Sequence, residues 1–176
     1  SYSVDTRNTQ IVFSGNTFSS MATSATGAEQ IVLGTAGLIT FEGNKIYNCY
    51  LNGTYLSLKE VVIADNDIFL DYFSSGTNLQ NPIGIVQEIK STDPFYGAAG
   101  GLYCTVKNNR IRINNINASV YPIRWRMSDV TTGTISFNYT IIITDNEISI
   151  NAPVPTQAIS VEFVTTSVLT AYYQSV

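Results

Sequence analysis

The sequence has no histidine, two cysteines and one tryptophan in 176 residues, and only 12% of it is charged. Without histidine, the commonest metal ligand and the usual neutral-pH base are both missing. Two isolated cysteines cannot make a metal-ligand cluster of ordinary spacing, so neither a metal nor a cofactor is expected. No basic cluster is present and the net charge is −4, which argues against a nucleic-acid surface. No apolar run approaches the length of a membrane span, so membrane insertion is not expected. "GAAGG" at 97–101 lacks the lysine of a phosphate loop, which excludes nucleotide binding there. No signal peptide is visible. The chain opens "SYSVDTRNTQ", strand-like and without Met, and is expected to be the downstream segment of a longer or processed protein.

What is present is β-forming. The chain is 44% hydrophobic and rich in Ile, Val, Thr, Tyr, Phe, Asn, Ser and Gly, a composition that folds and favours strands. Five stretches align without gaps: "IVFSGNTFSS" (11–20), "ITFEGNKIYN" (39–48), "VVIADNDIFL" (61–70), "CTVKNNRIRI" (104–113) and "IIITDNEISI" (141–150). Each carries one asparagine at the same place: Asn16, Asn44, Asn66, Asn109 and Asn146. Apolar residues stand five and three before it and two after it, as in Ile141, Ile143 and Ile148. Two short alternating runs flank one bend. The segments 123–132 and 161–170 fit the same slots with Ser128 and Thr166 at the asparagine position, and 83–90 fits loosely with Glu88 there.

A repeat of about 20 residues cannot bury its own apolar face, but stacked repeats bury a continuous core. The expected fold is all-β: one parallel β-helix domain over 1–176, a solenoid of about seven to eight coils, with segment 71–104 a degenerate coil carrying a protruding loop. Eight coils would rise roughly 38 Å at the strand spacing. The asparagines are expected to form a structural ladder at one bend. Each tolerates the left-handed backbone region and bonds its copy in the next coil. The residue before each is Gly15, Gly43, Asp65, Asn108 or Asp145, all turn formers. Cys104 falls in a core slot and Cys49 near a turn, some three coils away, so a disulfide between them is not expected and a reducing compartment is.

The motif [IV]-x-[IVF]-x-x-N-x-[IF], spread over nearly the whole chain, resembles the right-handed parallel β-helix of bacteriophage tailspikes and of pectate-lyase-like polysaccharide enzymes. The resemblance implies a homotrimer that binds, and often cleaves, bacterial surface polysaccharide. On it rest the expectations of a single-stranded right-handed helix and of a tailspike or tail-fibre segment attaching a virion to host glycan. Assembly would be in the bacterial cytoplasm. The alternatives are a depolymerase of the tailspike type, hydrolase or lyase, and a secreted or cell-surface β-helical adhesin.

Functional residues in such a fold are sought across coils. One outward row holds Thr17, Lys45, Asp67, Arg110, Asp129, Glu147 and Ser167. If Asp129 and Glu147 stack on adjacent coils, their carboxyls lie about 5 Å apart, the spacing of a retaining glycosidase pair. They are the candidate catalytic residues, although Arg110 beside them would more simply neutralise one. A second row holds Ser19, Tyr47, Phe69, Arg112 and Ser149. Tyr47, Phe69 and Arg112 suit either a sister subunit or a glycan. Lys107 and Arg126 are expected at matching positions on neighbouring coils, with an anion or a partner-chain carboxylate between them. The triplets at Asn52, Asn117 and Asn138 match the N-glycosylation pattern, a chance match in so Asn-rich a chain.

Overall fold

The computed structural model describes residues 10–19, 29–32, 37–56, 60–71, 82–89, 102–114, 121–129, 139–151 and 158–164. These contain strands only. The chain runs through β1 (Gln10–Ser14), β2 (Thr17–Ser19) and β3 (Glu29–Val32), then β4 (Leu38–Glu42), β5 (Lys45–Tyr47) and β6 (Cys49–Leu56). It continues through β7 (Glu60–Ala64), β8 (Asp67–Asp71) and β9 (Ile83–Ile89), then β10 (Leu102–Lys107), β11 (Arg110–Asn114) and β12 (Ile123–Asp129), and ends with β13 (Tyr139–Thr144), β14 (Glu147–Asn151) and β15 (Ile159–Val164). Every strand pairs in parallel with the strand three elements away, so the strands form three five-stranded sheets. The first sheet is β1-β4-β7-β10-β13, the second β2-β5-β8-β11-β14 and the third β3-β6-β9-β12-β15. This is an all-β, solenoid-like stack of parallel strands.

The described strands make five levels of three strands, where the sequence spacing had suggested seven to eight coils of two. Glu88 and Ser128 are not bends. They lie within β9 and β12 and are register partners of each other on the third sheet. Thr166 lies outside the described residues. The misreading has a physical cause: all three strands of a level alternate apolar and polar residues, and alternation alone does not say which sheet a strand joins. Segment 71–104 likewise contains a strand, β9, in register with β12 and paired with β6 through a register shift between Gly53 and Leu56, and its residues 72–81 and 90–101 lie outside the described residues.

The core is a stack of like on like. Ile39, Val61 and Cys104 are register partners in the first sheet, as are Phe41, Ile63 and Val106. Ile46, Ile68 and Ile111 do the same in the second sheet, and Ile83 and Ile123 in the third. All are buried, and Trp125 joins them from β12. Residues of the end levels, including Ile11, Phe13, Ile141 and Ile148, are only partly buried against this core. Cys49 and Cys104 are both buried and free. Cys49 opens β6, two levels from Cys104 and on another sheet.

The bend between the first two sheets is governed by two adjacent residues with different tasks. The left-handed backbone belongs to the residue before the asparagine, not to the asparagine: φ is +69° at Gly15, +61° at Gly43, +57° at Asp65, +52° at Asn108 and +54° at Asp145. Gly15 and Gly43 each have room for a Cβ, so the requirement is on φ alone. Asp and Asn can therefore fill the same place at the other levels. That turn sends the asparagine side chain inward, where Asn44, Asn66 and Asn109 are each 1% exposed.

Buried amides must be paired, and these are. The Asn66 side-chain Oδ1 accepts from the backbone N–H of Asn44 at 3.0 Å and from its Nδ2 at 3.1 Å. The Asn66 Nδ2 donates onward to Asn109 Oδ1 at 2.9 Å and back to the Phe41 carbonyl at 3.0 Å. The same pattern links Asn16 to Asn44 and Asn109 to Asn146. One side chain thus ties three levels together. Asn66→Ala is expected to cost about 3–5 kcal/mol, because it leaves the Asn44 N–H and the Phe41 carbonyl buried without partners. Asn16→Ala, at the exposed end, should cost about 1 kcal/mol. Urea unfolding midpoints of the two variants, at unchanged slope, check the contrast.

Candidate functional site

With the inward side chains committed to core and ladder, chemistry is left to the outward rows, and the three faces differ. The first sheet presents β-branched residues in register: Val12, Thr40, Val62, Thr105 and Ile142. Beside them Tyr103 is 42% exposed. The second sheet presents charge and aromatic rings. Its first outward row runs Thr17, Lys45, Asp67, Arg110, Glu147. Its second runs Ser19, Tyr47, Phe69, Arg112, Ser149. Strand alternation puts both rows on one face, two residues apart along each strand.

The centre of this face is Arg112. Its guanidinium lies over the Phe69 ring, 5.2 Å from the centroid. Its Nη2 donates to both carboxylate oxygens of Asp67, at 2.9 and 3.1 Å, reaching diagonally across one strand pair. The stacked geometry turns Nε away from any acceptor and leaves it buried without a partner. Arg110, two residues earlier on the strand, is drawn to the other side, with Nε 3.5 Å from the Glu147 carboxylate. Each arginine therefore neutralises one carboxylate. Lys45 stands opposite Asp67 in the register and is exposed. Tyr47 is half-buried next to Phe69 in the row.

The remaining expected sites separate. Asp129 ends β12 on the third sheet, in register with Ile89, while Glu147 begins β14 on the second sheet, in register with Arg110. They are not strand neighbours, and Arg110 stacks on Asp67 and Glu147 instead of Asp129. The carboxylate pair inferred from spacing was an artefact of taking Ser128 as a bend. Lys107 lies on the first sheet between Ala64 and Thr144, and Arg126 on the third between Val86 and Glu162. They too stand on different sheets. Arg124, which the spacing did not single out, sits over the Tyr121 ring at 5.6 Å on the third sheet. Its signal was only the pairing of an aromatic with an Arg three residues on. Asn117 and Asn138 lie outside the described residues.

Burial raises the thiol of Cys104 from its ordinary 9.0 to about 12. It stays protonated at neutral pH and is no nucleophile. Among the described residues no group of three or more Cys, Asp or Glu is gathered as a metal would need. No helix there is long and apolar enough to cross a membrane. No known family model, curated protein or solved structure matches the chain.

Asp67 and Arg112 are about one-third exposed, so solvent screens their attraction. A double-mutant cycle over Asp67→Asn and Arg112→Ala should give a coupling of about 1 kcal/mol that shrinks as salt is added.

Proposed function

We propose that the chain is a right-handed parallel β-helix whose second-sheet face binds polysaccharide, as the attachment segment of a tailspike-like particle. The usual hand of parallel crossovers supports the right-handed reading. Each level leaves a sheet and returns to it beside a parallel strand, and such connections are nearly always right-handed.

The observation that carries the binding proposal is the register of Tyr47, Phe69 and Arg112 on three successive strands. Two aromatic residues and a guanidinium in a straight line offer apolar platforms and a planar donor along the solenoid axis. Sugar rings have an apolar face that packs on aromatic rings, and hydroxyl or carboxylate groups that accept from Arg and Lys. Strands about 4.8 Å apart repeat at roughly the length of one sugar unit, so an extended glycan can lie along the row. Arg112 is fixed by Phe69 and Asp67 before any ligand arrives, which lowers the entropic cost of binding. A single such row is a weak binder. The homotrimer that the tailspike resemblance implies would present three rows and gain avidity.

The enzymatic alternative has less behind it. Asp67 and Glu147 each face an arginine, and Asp129 stands on a different sheet from Glu147.

The test is binding to immobilised capsular and O-antigen polysaccharides, with reducing ends measured in the same samples. Retention of intact glycan is expected, with affinity falling about tenfold or more in Tyr47→Ala. Phe69→Ala should fall further, since it also releases Arg112. Binding unchanged in both variants would refute the face. Released oligosaccharides would make the protein a depolymerase.

A further inference from the structure

The asparagine ladder has a direction. At every step the backbone N–H and Nδ2 of one asparagine donate to Oδ1 of the next one along the chain. The bends follow the same rule. The N–H of the left-handed residue donates forward, as Asp65 does to the Lys107 carbonyl, and the carbonyl of each asparagine accepts from the level ahead, as Asn66 does from Arg110.

The two ends of the stack are therefore unlike, and each offers what the other lacks. At the β13–β14–β15 end, the N–H groups of Asp145 and Asn146 find no acceptor among the described residues, though the equivalent groups of Asn108 and Asn109 are bonded to that level. At the β1–β2–β3 end, Asn16 Oδ1 has no donor among the described residues, where every other ladder oxygen accepts two. Asn16 Nδ2 bonds forward and to its own Ser14 carbonyl at 3.1 Å, but among the described residues it has no counterpart of the backward bond that Asn44, Asn66, Asn109 and Asn146 each make to a carbonyl one level before.

The side chains agree. Placing one end on the other in ladder register sets Ile141 on Ile11, Ile143 on Phe13 and Ile148 on Phe18, all of them only partly buried. Outside, it sets Ile142, 39% exposed, on Val12, 51% exposed. Glu147 would meet Thr17, and Asp145 would meet Gly15, so no like charges face each other. The outer edges of β1, β2 and β3 at one end and of β13, β14 and β15 at the other, unpaired among the described strands, would pair at the same time.

We propose that copies of this chain stack head to tail on one axis, the β13–β14–β15 end of one copy seated on the β1–β2–β3 end of the next, with the asparagine ladder running through the junction. The contact is heterologous and does not close on itself, so it builds linear stacks. It does not depend on any glycan.

The test is sedimentation velocity and small-angle scattering of the full chain over a wide concentration range. Mass should rise with concentration while the cross-section stays constant. Asn16→Ala removes the acceptor at one end, and Ile142→Lys places a charge at the other. Both positions are exposed, and circular dichroism should show the fold intact. Each should weaken association about tenfold or more. Tyr103→Lys, equally exposed but on β10, one strand in from the end of the first sheet, should leave it unchanged. Three results would overturn the proposal: a monomer at every concentration, a closed trimer of fixed mass, or association that responds to Tyr103 and ignores Asn16 and Ile142.

Discussion

A buried asparagine has an N–H₂ and a carbonyl to satisfy, and it sits beside a backbone N–H that the bend has taken out of the strand ladder. In this chain one geometry settles all three. The turn residue adopts positive φ, the amide points inward, and the amide of the next level is placed to receive it. Parallel in-register stacking is the only pairing that keeps every such amide bonded. A slip by one residue would bury the polar row unpaired and turn the isoleucine rows to solvent. The ladder and the isoleucine stack therefore fix the register together, one by the cost of an unmet hydrogen bond, the other by apolar burial.

Once register is fixed, the outer faces become columns of equivalent positions, and the chemistry of each column is free to vary. The first sheet fills its central outward column with Val, Thr and Ile. The second fills the equivalent columns with Lys, Asp, Arg, Glu, Tyr and Phe. A rigid column of aromatic and guanidinium groups can meet a repeating ligand because its spacing is set by backbone hydrogen bonds and not by loops. The Arg112 cluster shows the local version of this. Stacking on Phe69 and clamping by Asp67 hold the guanidinium flat on the face.

Much of this was legible in the residues. The five asparagine motifs gave the bend, the parallel stacking, the inward slots and the Tyr47–Phe69–Arg112 column, because a polar residue at a fixed place among apolar ones marks both register and sheet. The third sheet was not legible in the same way. Its strands carry no asparagine marker, so Ser128 and Glu88 passed for bends, and the coils were counted as seven to eight where the described strands make five levels. That single misplacement produced the Asp129–Glu147 and Lys107–Arg126 pairs, both of which join residues on different sheets. The left-handed residue was misassigned by one position, because Gly, Asp and Asn share turn propensity and spacing does not say which of two neighbours takes positive φ. The Asp67–Arg112 clamp is a diagonal contact, and a search along straight rows passes over it.

Amide hydrogen exchange, resolved residue by residue, tests the ladder most directly. If asparagine amides pin the levels, the backbone N–H groups of Asn44, Asn66 and Asn109 will be protected to the level of global unfolding, although they lie at a bend and outside the strands. The N–H of Asn146, one level further, will exchange fast in dilute solution. Rapid exchange at Asn44, Asn66 and Asn109 while the flanking strand amides stay protected would contradict the account, and would mean that the apolar stack alone holds the register.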